Sequence, residues 1–257
     1  INFLLGSNLT NEDYVAFREF SKSISDSEQT FYLNDDLLYK GQFGQNNELA
    51  KIDDLNSSDA IVVWAEDLKE KMPVLYLRVR QAVKKGVKLI VFGHTNETLT
   101  DIADVFYGKE TVSKNFEIIK DVSKLNEIKN YVVGKNITAI IGKSTPQQSD
   151  ESITELFEFL KSNSNTKILN TYTKGNTYGA FQTLENIKGT KDFVDDISSE
   201  NTDLLFVVGA DPVGRSFYSN EIKSILENLD TVVSLDIFNH ETAELSNFVI
   251  PVSSTLG

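Results

Sequence analysis

Short, uninterrupted apolar runs recur along this chain, and the stretches between them carry helical periodicity. Asn2–Leu5 (NFLL), Ala60–Trp64 (AIVVW), Val87–Gly93 (VKLIVFG), Ile137–Gly142 (ITAIIG), Leu204–Gly209 (LLFVVG) and Thr231–Asp236 (TVVSLD) are the clearest, with TKILN and NFVIP as shorter ones. A run that is apolar at every position has no solvent face. It belongs in a sheet covered by helices on both sides, and such sheets are parallel. Strands alternating with helices then predict an α/β, doubly wound architecture.

The helices between these runs have legible ends. Thr10 stands three residues before Asp13, a capping-box spacing, and acidic residues fill the first turn that follows. Tyr14, Phe17 and Ile24 recur on one side of that helix. Pro73 fits a first helical position and Gly86 the residue just past an end, with Leu75, Val79, Ala82 and Val83 at helical spacing between them. The unit from Ala60 to Gly93 therefore reads as a right-handed strand–helix–strand crossover. Ile153, Leu156, Phe157 and Leu160 give a further helix its apolar face, with Phe159 off it, and another helix falls around Glu221 to Leu229. Tyr107 to Asn130 is polar and reads as mixed helix and loop.

Composition narrows the function classes. The 257 residues carry a net charge of −13, which repels phosphodiester backbones and anionic lipid heads, so the sequence predicts no nucleic-acid partner and no direct membrane insertion. No apolar run approaches the roughly 20 residues of a spanning helix. With no cysteine, the chain offers no thiolate for an iron–sulfur cluster or a Cys-type zinc site, and no Cys nucleophile.

Candidate sites are weighed on their chemistry. Gly209 to Ser216 (GADPVGRS) nearly matches a phosphate-binding loop. Arg215 replaces its Lys, Asp211 brings a negative charge to the cradle, and Pro212 removes one amide donor. A βα turn built on Asp-Pro accounts for it better. His94 and His240 are the two histidines. HETAE is not a zinc-binding H-E-x-x-H, because Glu244 stands fifth, and the two histidines read as surface or loop residues. Asp192 to Asp196 (DFVDD) reads as a solvated helix start.

A longer pattern is more specific. LLFVVGADPVGRS…ILENLDTVVSLDIFNHETAELSNFVIPVSS resembles a segment of the molybdopterin-type oxidoreductases. In that family an apolar strand, G-A-N/D-P, a helix, L-D, a second strand, D-x-F-x-T-E-T-A and A-D-V-x-L-P follow in order. Gly209, Ala210, Asp211 and Pro212 fill the first block. Leu229, Asp230, Asp236, Phe238, Glu241, Thr242 and Ala243 fill the second, and Pro251 closes the third, with Phe248 and Ile250 in place of Val and Leu. GSNLTNEDYVAFREF is similar to the family's T-N-E helix, the segment around PVLYLRVRQAV to its R-I-R helix, and GNTYGA (Gly175 to Ala180) to its N-x-x-G-A stretch. The likeness covers most of the chain in the family's order.

The resemblance implies two Rossmann-like domains of parallel sheet, one inserted in the other. The expected bounds are 1–28 with 131–257 for the first domain and 29–130 for the insert. Departures from the family pattern bear on function. Phe92-Gly93-His94-Thr95 stands where pterin-binding members have D-P-R-x-T, and Trp64-Ala65-Glu66-Asp67 where they have G-x-N-P. A pyrophosphate needs donors and cations, and acidic replacements repel it. The metal-ligand stretch has no Cys; Asp35 and Asp36 are the residues there with ligand chemistry, and they read as solvated.

A scaffold that persists without its cofactor-binding residues is the pattern of one branch, the large iron–sulfur subunit of NADH-quinone oxidoreductase, respiratory complex I. The resemblance implies a non-catalytic scaffold region with no catalytic, cofactor-binding or metal residues of its own. Iron–sulfur clusters are expected in an N-terminal part outside this sequence, so the chain is expected to be a fragment of a longer polypeptide. Its partners would be other peripheral-arm subunits of complex I, and its place cytoplasmic, peripheral to the inner membrane. Arg78 and Arg80 are candidate docking contacts, although ordinary surface charge accounts for them better. The alternative is a fragment of an active molybdopterin-dependent oxidoreductase such as a formate dehydrogenase. Gly209, Asp211 and Thr242 would then line the cofactor, and Asp35 or Asp36 would ligate the metal. A free-standing nucleotide-binding module would rest on the Gly209 loop alone.

Overall fold

The computed structural model describes residues 1–24, 29–33, 49–64, 68–92, 97–107, 122–141, 158–172, 174–184, 187–197 and 202–254. The chain divides into two units, Ile1–Gly44 with Lys174–Gly257, and Gln45–Thr173. Each is built on one five-stranded, all-parallel sheet.

In the first unit the strands are β1 (Asn2–Leu5), β2 (Gln29–Tyr32), β8 (Leu204–Val208), β9 (Thr231–Asp236) and β10 (Phe248–Pro251). Their spatial order is β10-β9-β8-β1-β2. Alternate residues of each strand enter opposite layers, as the pleat requires. Leu4, Phe31, Leu205, Val207 and Val232 meet Phe193 and Ile197 of helix α8 (Thr190–Ile197) and Ile222 and Leu226 of α10 (Ser219–Asn228). Phe3, Leu5, Tyr32 and Val208 face the other way, onto Tyr14 of α1 (Asn11–Ile24) and Ala180 of α7 (Thr177–Thr183). Helices therefore cover both faces, as the uninterrupted apolar runs require. The α1 capping box forms as expected: Thr10 N–H donates to Asp13 Oδ2 at 2.8 Å, and Asp13 N–H to Thr10 Oγ1 at 3.2 Å. Tyr14 is buried, but Ile24 is exposed.

The second unit has β3 (Ala60–Trp64), β4 (Lys88–Phe92), β5 (Val105–Tyr107), β6 (Asn136–Ile141) and β7 (Asn165–Asn170), in the order β5-β4-β3-β6-β7. Helix α3 (Pro73–Lys84) lays Leu75, Tyr76, Val79 and Ala82 on Ile61, Val63, Leu89 and Val91. Leu68 of α2 (Leu68–Lys71) and Leu99 of α4 (Glu97–Thr100) join that layer. Pro73 opens α3 and Gly86, at φ +99°, turns the chain out of it. Helix α5 (Val122–Val132) leads into β6, and α6 (158–163) into β7. Leu160 is buried and Phe159 partly so; Ile153, Leu156 and Phe157 lie outside the described residues.

The boundaries differ from the expected 1–28 with 131–257 and 29–130. Gln29–Tyr32 pairs in register with β1, so it belongs to the first unit. Ile137–Ile141 pairs with β3, and β7 with β6, so both belong to the insert. A run such as ITAIIG has no sequence mark for which of two parallel sheets it joins; register on a neighbour decides it.

Candidate functional site

Strand order locates the most promising site. From the middle of the first sheet, chain order runs outward in both directions, from β1 to β2 and from β8 to β9 to β10. The connections after β1 and β8 therefore leave in opposite directions. In open parallel sheets ligands bind at the carboxyl ends of such a strand pair. Gly6 and Ser7 follow β1 there, and Gly209 to Pro212 follow β8.

The two turns touch through backbone. Gly6 N–H donates to Val208 O at 2.8 Å, and a Cβ on Gly6 would lie 1.7 Å from the Gly209 carbonyl oxygen. Only glycine fits such an approach. Gly209 turns at φ +56°, and its N–H donates to Leu235 O at 2.8 Å. Below, the Tyr14 hydroxyl donates to Gly6 O at 2.8 Å, and the hydroxyls of Tyr32 and Thr177 are 3.1 Å apart. Both phenols are held above the usual tyrosine pKa, chiefly because burial penalises the phenolate. Asn176 clasps the side of the turn: its N–H donates to Ser7 O at 3.2 Å and its Nδ2 to Leu9 O at 2.9 Å.

The polar groups beyond Gly209 bond to one another. Asp211 caps the four-residue helix α9 (Pro212–Arg215), its Oδ1 accepting from Gly214 N–H at 3.2 Å. The same oxygen accepts from the Thr242 hydroxyl at 2.8 Å, and Thr242 Oγ1 accepts from Val213 N–H at 3.1 Å. Thr242 lies in α11 (Glu241–Glu244), which His240 caps by accepting from Ala243 N–H at Nδ1, 3.3 Å away. An imidazole that accepts at Nδ1 carries its proton on Nε2 when neutral. His240 Nε2 lies 3.1 Å from Asp236 Oδ2, without hydrogen-bond geometry, and its Nδ1 lies 3.3 Å from Asp211 Oδ1. The other oxygen of Asp236 accepts from Ile237 N–H at 2.7 Å and Phe238 N–H at 3.2 Å. The result is a brace tying the turn after β8 to the turn after β9.

This geometry decides several sequence expectations. The loop is no phosphate cradle: the amides of Val213 and Gly214 are taken by Thr242 and Asp211. Gly209, Asp211 and Thr242 do come together. His240 is neither a surface nor a loose loop residue, being only 15% exposed at its side chain between two carboxylates. The spacing of Asp236 and His240 was the available signal for it. Asp192, Asp195 and Asp196 are a solvated helix face, pairing with Gly189 N–H, Lys191 and Lys188, while Phe193 among them is core. Arg80 stacks over Tyr76 at 5.6 Å, and Arg78 is exposed. Trp64 and Phe92 are buried strand ends. Asp35, Asp36, Ala65, Glu66, Asp67, Gly93, His94 and Thr95 lie outside the described residues.

The model of one protein family, described as molybdopterin oxidoreductase, matches residues 1–256. Among solved structures, acetylene hydratase from Pelobacter acetylenicus is similar over 97% of this chain and 49% of its own, with 12% identity and a TM-score of 0.53. At that identity the likeness speaks for the fold alone. The chain spans about half the length of that protein.

Proposed function

The chain belongs to the molybdopterin oxidoreductase family, and we propose that it serves there as framework, an α/β region of the kind found in the large iron–sulfur subunit of NADH-quinone oxidoreductase. One observation carries this reading: apart from His240 Nε2, the polar side chains described at the head of β8 and β9 bond to one another or to neighbouring backbone amides. The anionic end of a pterin nucleotide needs free amides and cations. At this turn the acids Asp211 and Asp236 lie beside His240, the Val213 and Gly214 amides are already bonded, and Arg215 is exposed. The residues of this turn fit that group poorly. The framework would pack against other peripheral-arm subunits, with electron transfer running through iron–sulfur clusters held elsewhere. Among the described residues no helix is long and apolar enough to cross a membrane, in keeping with a peripheral place.

The second reading is a pterin-dependent oxidoreductase, with Gly209, Asp211 and Thr242 lining the cofactor. The family match favours it over the first, because the family is described by that cofactor and not by complex I. The meeting of Gly6 and Gly209 where the strand order reverses also favours it.

Molybdenum, tungsten and pterin analysis of the full-length protein separates the two. The framework reading expects none of the three at stoichiometric level; one pterin per chain would replace it with the second reading.

A further inference from the structure

Two groups compete for one atom of His240. Its Nδ1 lies 3.3 Å from Ala243 N and 3.3 Å from Asp211 Oδ1. It accepts from the amide and so caps α11. Toward the carboxylate it presents a lone pair, which is repulsive. A ring nitrogen has one in-plane position, holding either a lone pair or a proton. With a proton there, the Ala243 amide loses its acceptor and Asp211 gains a donor already within reach. The other nitrogen is also open to a change of partner. Nε2 is closed off from solvent and has no hydrogen-bond partner among the described residues, while Asp236 Oδ2 stands 3.1 Å away, out of line. Asp236 Oδ1 is taken by the Ile237 and Phe238 amides, so Oδ2 is the oxygen left for a donor.

The surroundings favour a proton at this place. The side chains of Asp211, Asp236 and His240 are 14%, 11% and 15% exposed, so charges among them are poorly screened. Among the described residues neither acid pairs with a Lys or Arg. The packed elements bring Arg215 on α9, and Glu241 and Glu244 on α11, all three exposed. From Ser224 to Gly257 there is no Lys or Arg. Among the described residues, the positive charge closest to hand for the two acids is therefore a proton on His240. In the pattern D-x-F-x-T-E-T-A this position is a threonine, which can cap a helix but takes up no proton.

We propose that His240 is a proton-operated latch. Protonated at Nδ1 from solvent, it lets go of the Ala243 amide and donates from Nδ1 to Asp211 and, after a small turn of the ring, from Nε2 to Asp236. The turns after β8 and β9 are then held by an imidazolium between two carboxylates, and α11 is left without its cap. The latch rests on neither reading of the function above.

Two exchange measurements on the full-length polypeptide, made across a pH series, test it. Slow deuteration at the His240 ring carbon between the two nitrogens reports the charge of the ring. Amide exchange at Ala243, divided by its intrinsic rate, reports the cap. Protection of Ala243 should fall severalfold in step with protonation of His240. His240→Asn keeps a capping side chain that takes up no proton, and Ala243 protection should then stay level over the same range. Asp236→Asn keeps the shape, removes one charge and should move the step to lower pH. A ring that takes up no proton short of acid unfolding overturns the proposal. So does Ala243 protection that ignores the charge of the ring, or that falls equally in His240→Asn, or a step that Asp236→Asn leaves in place.

Discussion

The two edges of the first sheet are opposites. At β2 the edge is closed by the chain itself: Lys188 pairs beside Phe31, accepts from Tyr32 N–H at 2.8 Å and donates to Thr30 O at 3.3 Å. Its ammonium lies over the Phe31 ring at 5.5 Å and meets Asp196 at 2.6 Å. Phe31 and Tyr32 are fully buried as a result. At β10 no described residue plays this part, and a phenylalanine in the same sheet stands in water. Hydrophobic sequence alone does not separate the two. What does, among the described residues, is a returning segment: Lys188 comes back to β2, and none of them pairs with the outer edge of β10.

Substitutions at the two edges and in the seam between them should differ in order. Phe31→Ala should be the most damaging, removing a fully buried ring at a cost of about 3–5 kcal/mol, read as a large drop in the urea midpoint. A small effect would mean that the β2 edge is not closed as described. Gly6→Ala, in the seam, forces β1 and β8 apart and should cost about 3 kcal/mol, the upper end for overpacking. Thr242→Val keeps the shape but removes the hydroxyl shared by Asp211 and Val213 N–H, and about 1.5–3 kcal/mol should be lost with it. If Thr242→Val is neutral, the brace is not holding the two turns together.

The closed edge should also fail in alkali. The folded-state pKa of Tyr32 is raised, so its neutral form is favoured by the fold. Its contribution is complete below the ordinary phenol value of 10.0 and is lost as pH climbs past it toward the folded value. Tyr32→Phe should flatten that alkaline fall in a pH series of urea midpoints. Least of all, Phe248→Ala should change stability within about 0.5 kcal/mol. A loss as large as that of Phe31→Ala would erase the distinction between the edges.

Much of this fold was legible in the sequence. Every long apolar run became a strand, and the Thr10 cap, Pro73 and Gly86 mark real helix ends. β2 and β5 were missed because they are short, and half of QTFY is polar; their strand character comes from the neighbours they pair with. Thr190–Ile197 hid its core residue Phe193 inside a run of aspartates. The site was legible in halves. GADP and DIFNHETA both stood out, about thirty positions apart, but only the parallel register of Val208 beside Leu235 brings Asp211 to Thr242 and His240. Residue identity shows which groups have polar chemistry; it does not show that they will spend it on one another.

The meeting of Gly6 with Gly209 also constrains how the molecule comes into being. β1 is synthesised before the insert, yet its inner neighbour β8 arrives only after all of it, and Asn2 waits 200 positions for its partner Thr202. Domains fold as units during synthesis, so the insert has time to fold while β1 is still waiting on one side. Of the two units, the first is thus begun earlier and finished later.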